Sequence, residues 1–225
     1  MSPSIEGIVP TATLLVKPTL RGVIHHWSAV AAFGAGIILV AMAPTARAAF
    51  AAGVYALSVC TLLTVSAVYH RPMWQPGPRA FMRRLDHASI FVLIAGTYTP
   101  ICCLGLHEVV GMKLLFWVWI AAAFGVLQSI FWVHAPKSVA VLLYLFVGWS
   151  IVPYFGAVQD ALSPKHLALL VGGGIVYSLG AVTYAARCPN PVPGVFGYHE
   201  VFHAMTVLAC ALHYQLVASL VRAAR

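Results

Sequence analysis

The chain has 225 residues, of which 61% are hydrophobic and only 8% charged, and its mean hydropathy is +0.91. Such a composition excludes an ordinary soluble domain and predicts an integral membrane protein surrounded by a lipid bilayer. The net charge of +8 does not indicate a nucleic-acid partner, because the basic residues stand singly or in small groups between apolar segments, where they mark topology.

The first twenty residues lack a basic start followed by a compact apolar run, so no cleaved signal peptide is expected. Residues 1–22 read as a short cytoplasmic segment ahead of a single membrane domain, 23–225. A crossing needs about 20 predominantly apolar residues, and seven segments meet that length: 24–43, 48–69, 85–106, 114–133, 139–155, 167–186 and 198–221. The predicted fold is an all-α bundle of seven transmembrane helices, multi-pass in the cell membrane. Two connections carry helix-stopping residues, 71–84 with Pro72, Pro76, Gly77 and Pro78, and 188–197 with Pro189, Pro191, Pro193 and Gly194; both are predicted as turns. Of the five cysteines, Cys60, Cys102, Cys103 and Cys210 fall in or beside apolar stretches without a metal-type pair, and they read as small buried residues. Small residues four apart, Ala32 with Gly36 and Gly174 with Ser178, permit close helix packing within the chain or between copies, so oligomeric state stays open.

Basic residues in the connections set the expected orientation. Lys17, Arg21, Arg71, Arg79, Arg83, Arg84, Lys137 and Arg187 lie on the side of the N-terminus, eight against the five of Arg47, Lys113, Lys165, Arg222 and Arg225 on the other. The N-terminus is therefore expected inside and the C-terminus outside.

Ionisable groups within the apolar segments are few, and each is costly to place there without a use. They are His70 at the end of the second segment, Asp86 and His87 in the first turn of the third, His199, Glu200 and His203 at the start of the seventh, and His213 further along it. Counting crossings puts His70, Asp86, His199 and His203 at one depth, near the inner face. His199 and His203 share one face of a helix, as do Ser66 and His70, so three imidazoles can close on one ion. Catalytic zinc favours three neutral nitrogen ligands with an open fourth position. Asp86 would orient the water there or take its proton, and Ser66 could donate to an oxyanion.

Competing readings accompany this one. "HEVFH" at 199–203 also matches the H-E-x-x-H signature of a zinc protease, with Glu200 as general base. The four convergent residues could form a helix-capping polar cluster without metal. His26, His134 and His166 read as interfacial residues. His213, ten residues or about 15 Å beyond His203 along a helix, reads as a packing contact.

"LRGVIHH" at 20–26, "SAVYH" at 66–70, "LDHASIFVLIAGTYTP" at 85–100 and "FGYHEVFHAMTVLACALHY" at 196–214 resemble the prokaryotic hemolysin III family, which groups with the progestin and adipoQ receptors and, more distantly, the alkaline ceramidases. The resemblance covers nearly the whole chain. It implies seven helices, an inside N-terminus and a zinc ion (Zn2+) near the inner face held by His70, His199 and His203. It further implies that Asp86 holds the zinc-bound water, with Ser66 preceding the first histidine. Glu200 then leaves the ligand face by about 100° and is expected to contact another helix or the basic connection containing Arg83 and Arg84. The leading expectation is a zinc-dependent hydrolase of a lipid amide or ester, with membrane lipid as substrate or ligand. The alternatives are a receptor or membrane-homeostasis protein with structural zinc, a pore-forming cytolysin and an intramembrane zinc protease. Polar residues gathered at one end of the bundle argue against the pore.

Overall fold

The computed structural model describes residues 17–224 apart from Val133. Most of the expected N-terminal segment, residues 1–16, therefore lies outside the described residues. Among those described, the chain is helical: α1 (Val23–Ala41), α2 (Ala46–His70), α3 (Pro76–Pro100), α4 (Glu108–Phe131), α5 (Lys137–Gly148), α6 (Phe155–Ala161), α7 (Pro164–Ala186) and α8 (Tyr198–Ala223). Seven helices are long and apolar enough to cross a membrane, with α3 prolonged by a π turn to Gly105 and with α5 and α6 together forming the fifth crossing.

The helix starts follow local chemistry. The Thr45 hydroxyl accepts a hydrogen bond from the Ala48 amide at the start of α2, and the Ser163 hydroxyl accepts one from the His166 amide ahead of Pro164. Gly22 precedes α1 with φ +77°, in the left-handed region, and a Cβ there would come within 2.8 Å of the His70 Cβ. Only glycine lets the chain pass over the end of α2 and turn into α1 at that point.

Two expectations about boundaries are corrected. The 71–84 connection is not a turn throughout, because α3 already begins at Pro76. Pro76 and Pro78 occupy its first turn, where amide hydrogens have no intrahelical acceptor and proline costs little. Asp86 consequently sits in the third turn of α3. The fifth crossing is not one helix over 139–155: α5 stops at Gly148 and the chain passes through a 3-10 turn, Val152–Tyr154, that contains Pro153. Within a bilayer the backbone groups released by such a break need partners inside the protein. Tyr98 on α3 supplies them, its hydroxyl donating to the Gly148 carbonyl at 2.7 Å and accepting from the Ile151 amide at 3.1 Å.

The centre of the bundle is α3. Two thirds (67%) of its most apolar stretch is buried, against 17% for α1. Phe91 and Tyr98 of α3 and Ile101 of the π turn that prolongs it join Leu114 and Val118 of α4 and Leu216 of α8 in one core, while Leu62 and Leu63 of α2 meet Val217 and Val221 of α8 in a second. Large apolar side chains such as Phe33, Phe50, Phe116, Phe146 and Leu179 point outward, as a lipid-facing surface requires. Both small-residue pairs pack within the chain: a Cβ at Gly36 would lie 2.9 Å from the Cβ of Ala56 on α2, and Ser178 accepts a hydrogen bond from the Trp149 indole at 2.9 Å.

Replacing Tyr98 by Phe leaves the Gly148 and Ile151 groups unanswered in an apolar setting, at an expected cost of about 1–3 kcal/mol. Thermal unfolding followed by circular dichroism in detergent should show a Tm several degrees below wild type for Y98F and an unchanged Tm for Y154F.

Candidate metal centre

Three helix ends meet at one end of the bundle. The last residue of α2 is His70, the first two turns of α8 carry His199 and His203, and the third turn of α3 carries Asp86. His199 and His203 face the same way because they are four residues apart. Against them stands His70, whose ring centroid lies 4.6 Å from that of His199 and 5.1 Å from that of His203. One nitrogen from each of the three rings falls within 4.8 Å of the others. The Nε2 atoms of His70 and His199 are 3.2 Å apart. Two nitrogens bound tetrahedrally at about 2.0–2.1 Å from one zinc ion would be about 3.3 Å apart, so the His70–His199 pair has the spacing such an ion requires, and the His203 nitrogen lies within 4.8 Å of both. The donor set, three imidazoles and no thiolate, also suits it.

The remaining groups predicted for the site surround this cluster. Asp86 is buried, with Oδ2 3.7 Å from the His70 Nε2. Ser66, one turn before His70, is buried and lines the same cavity as Asp86, His199 and His203. Tyr184, from the end of α7, sets its ring edge-on to His199 at 5.4 Å and carries the Lys137 ammonium 4.5 Å above its face. The cavity has a volume of about 150 Å³ and is bordered on α8 by residues from His199 to His213. The fourteen residue steps between them rise about 21 Å at 1.5 Å each, so the cavity runs from the histidine cluster deep into the bundle, past Leu93, Thr97 and Trp149.

Glu200 points away from the cluster. Its carboxylate pairs with the Arg21 guanidinium and accepts a hydrogen bond from the Gly197 amide at 2.9 Å, and the residue is only 1% exposed. The inter-helix contact expected for it is made with the entry to α1 and not with Arg83 or Arg84. His213 lies beside the Leu170 carbonyl at 3.2 Å, packed against Gly173 of α7. His87 lines the cavity. His26 is exposed, but His166 is not simply interfacial, since its Nε2 lies 2.8 Å from the Ser219 hydroxyl and ties α7 to α8.

A fourth imidazole belongs to this end of the bundle and escaped the sequence reading. His25, in the first turn of α1, stacks face to face on His203 with centroids 3.8 Å apart and planes 9° from parallel. The signal was available, because α1 begins at the membrane end where α2 finishes, which puts His25 level with His70. Its neighbour His26 faces outward.

The model of the family described as "Haemolysin-III related" matches residues 13–214 of the chain. The chain belongs to the haemolysin III-related family. Among curated relatives, "Hemolysin-3" of Bacillus cereus is 34% identical over 176 residues, covering 76% of this chain and 80% of the relative. "Monocyte to macrophage differentiation factor" of Homo sapiens is 25% identical over 175 residues, 74% and 68% of the two chains. "Adiponectin receptor protein" of Drosophila melanogaster is 25% identical over 148 residues, covering 58% of this chain and 33% of that protein. As a haemolysin III relative with seven apolar helices, the chain is a multi-pass protein of the cell membrane.

The Arg21–Glu200 pair fastens the first helix of this haemolysin III relative to the last. Removing either partner strands a charge in a largely buried place, at an expected cost of roughly 2–4 kcal/mol. A double-mutant cycle on thermal stability with R21M, E200Q and the double variant should give strongly non-additive losses. Additive losses would mean that the two side chains act separately.

Proposed function

We propose that His70, His199 and His203 hold a zinc ion and that the protein is a zinc-dependent hydrolase of a lipid amide or ester. One observation carries this reading: a three-imidazole cluster with a buried carboxylate and a buried hydroxyl beside it opens into a long, mainly apolar cavity inside a membrane bundle. The donor set and the 3.2 Å nitrogen separation are what support zinc. When bound, the metal supplies Lewis-acid polarisation of the carbonyl and a water acidic enough to act near neutral pH.

The chain's own residues then have distinct tasks. The cavity takes the acyl chain and excludes bulk water, leaving the scissile linkage at the histidine end. Asp86 accepts a proton from the attacking water and returns it to the nitrogen or oxygen that departs, so that water is added across the cleaved bond. Ser66 donates its hydroxyl hydrogen to the carbonyl oxygen as negative charge gathers there. Glu200, bound to Arg21 and the Gly197 amide, is not free to serve as the base of a protease.

A second reading has its own support: the ligands come from α2 and α8, so a bound ion would clamp two distant parts of the chain whether or not it took part in a reaction. That would suit a receptor or membrane-homeostasis protein with structural zinc. The two readings separate experimentally. Purified wild-type protein should contain close to one zinc per chain, and H203A should lose most of it. Incubated with ceramides and other N-acyl lipids, the wild type should release fatty acid. D86A is expected to lower the rate by about 10²- to 10⁴-fold and S66A by about 10²-fold, both keeping their metal. Zinc retained with no lipid turned over would remove the hydrolase reading and favour the structural one; absence of zinc from the wild type would remove both.

The histidine end is placed at the cytoplasmic face in this reading, on the basic residues gathered there. Reporter fusions at Arg225 active only outside the cell, with fusions in the connection after His70 active only inside, are the expected outcome; the reverse pattern would invert the orientation.

A further inference from the structure

His25 is among the most deeply buried side chains of the bundle, 2% exposed, and neither of its ring nitrogens has a hydrogen-bond partner among the described residues. In an apolar interior such a group is worse than a hydrocarbon ring of the same shape, because its donor and acceptor go unanswered. Its face is occupied by His203, in a nearly parallel stack. Hydrogen bonding from an imidazole runs through the ring edge, where a neutral ring offers one donor and one acceptor. His25 lines the cavity shared with Ser66, Asp86 and His203, so a group bound there can offer the ring a partner. His25 is not one of the three residues whose nitrogens converge to hold an ion.

We propose that His25 is a substrate-binding residue: it hydrogen-bonds the polar end of the lipid that fills the cavity, at an oxygen or nitrogen next to the acyl linkage, and holds that linkage beside the histidine cluster. The stack on His203 fixes the plane of the ring, so the direction of its hydrogen bond is set before the ligand arrives. The ligand class follows from this wall. It is an amphiphile with one long chain and a compact uncharged head rich in carbonyl, amide or hydroxyl groups. The assignment of the cavity as a lipid site rests on the hydrolase reading above, whereas the role of His25 in binding is measurable without turnover.

The test uses the full chain, metal-loaded in detergent, and two probes of equal chain length, N-oleoylethanolamine and 1-octadecene, each displacing a fluorescent lipid. His25→Phe keeps an aromatic ring, slightly larger than imidazole, that can stack on His203, and removes both nitrogens. It should retain the metal of the wild type and match or exceed its Tm, because a buried polar group without a partner is replaced by an apolar one. Its Kd for N-oleoylethanolamine should rise about five- to tenfold, the worth of one hydrogen bond, with the Kd for 1-octadecene unchanged. His25→Leu, which gives up the stack as well, should show the same selective loss and serves if the Phe variant does not fold. Unchanged affinity for N-oleoylethanolamine, equal loss of both probes, loss of metal from H25F, or no binding of N-oleoylethanolamine to the wild type would each overturn the proposal. Binding and selective loss with no hydrolysis of N-oleoylethanolamine would leave His25 as a ligand-binding residue while removing the hydrolase reading.

Discussion

In a hydrocarbon setting each polar group has to be answered from within the protein, and this one requirement arranges most of the structure. Where the fifth crossing breaks at Gly148, Tyr98 reaches over from α3 to satisfy both a carbonyl and an amide. Where Glu200 is buried at the start of α8, Arg21 and the Gly197 amide meet it. The imidazoles obey the same rule collectively, facing one another across the ends of α2 and α8 beside Asp86. Among the described residues His25 goes furthest against the rule, with both ring nitrogens unanswered where His203 and His213 each leave only Nδ1, and such a departure is more informative than another satisfied pair.

The number of crossings was legible because apolar length is a strong signal and the connections are short. Counting crossings also brought His70, Asp86, His199 and His203 to one end, since the direction of each helix follows from parity alone. What the linear pattern concealed was local. Pro76 and Pro78 looked like turn residues, but a first helical turn tolerates proline as readily as a loop does, and composition cannot separate the two. The interruption of the fifth crossing depends on a tyrosine fifty residues earlier, a pairing no window of sequence contains. His25 was hidden by an adjacent histidine facing the other way, because side chains one residue apart on a helix diverge by about 100°.

The H-E-x-x-H stretch illustrates how one spacing can serve different chemistry. Two histidines a turn apart present their nitrogens in the same way wherever a helix is regular, so the spacing speaks for a shared face and for little else. The identity of the carboxylate decides the rest. Here the residue inside the motif is engaged in joining α8 to the entry of α1, and the carboxylate near the imidazoles comes from α3.

The histidine cluster draws its members from both extremities of the chain. His25 and His70 belong to the first two helices, His199 and His203 to the last. During synthesis the early pair must wait through four further crossings before the late pair enters the membrane. No partial product can assemble the cluster, and Arg21 has no Glu200 to meet until then. Completion of the cluster therefore coincides with completion of the bundle, so an ion held there would record that every crossing has been threaded.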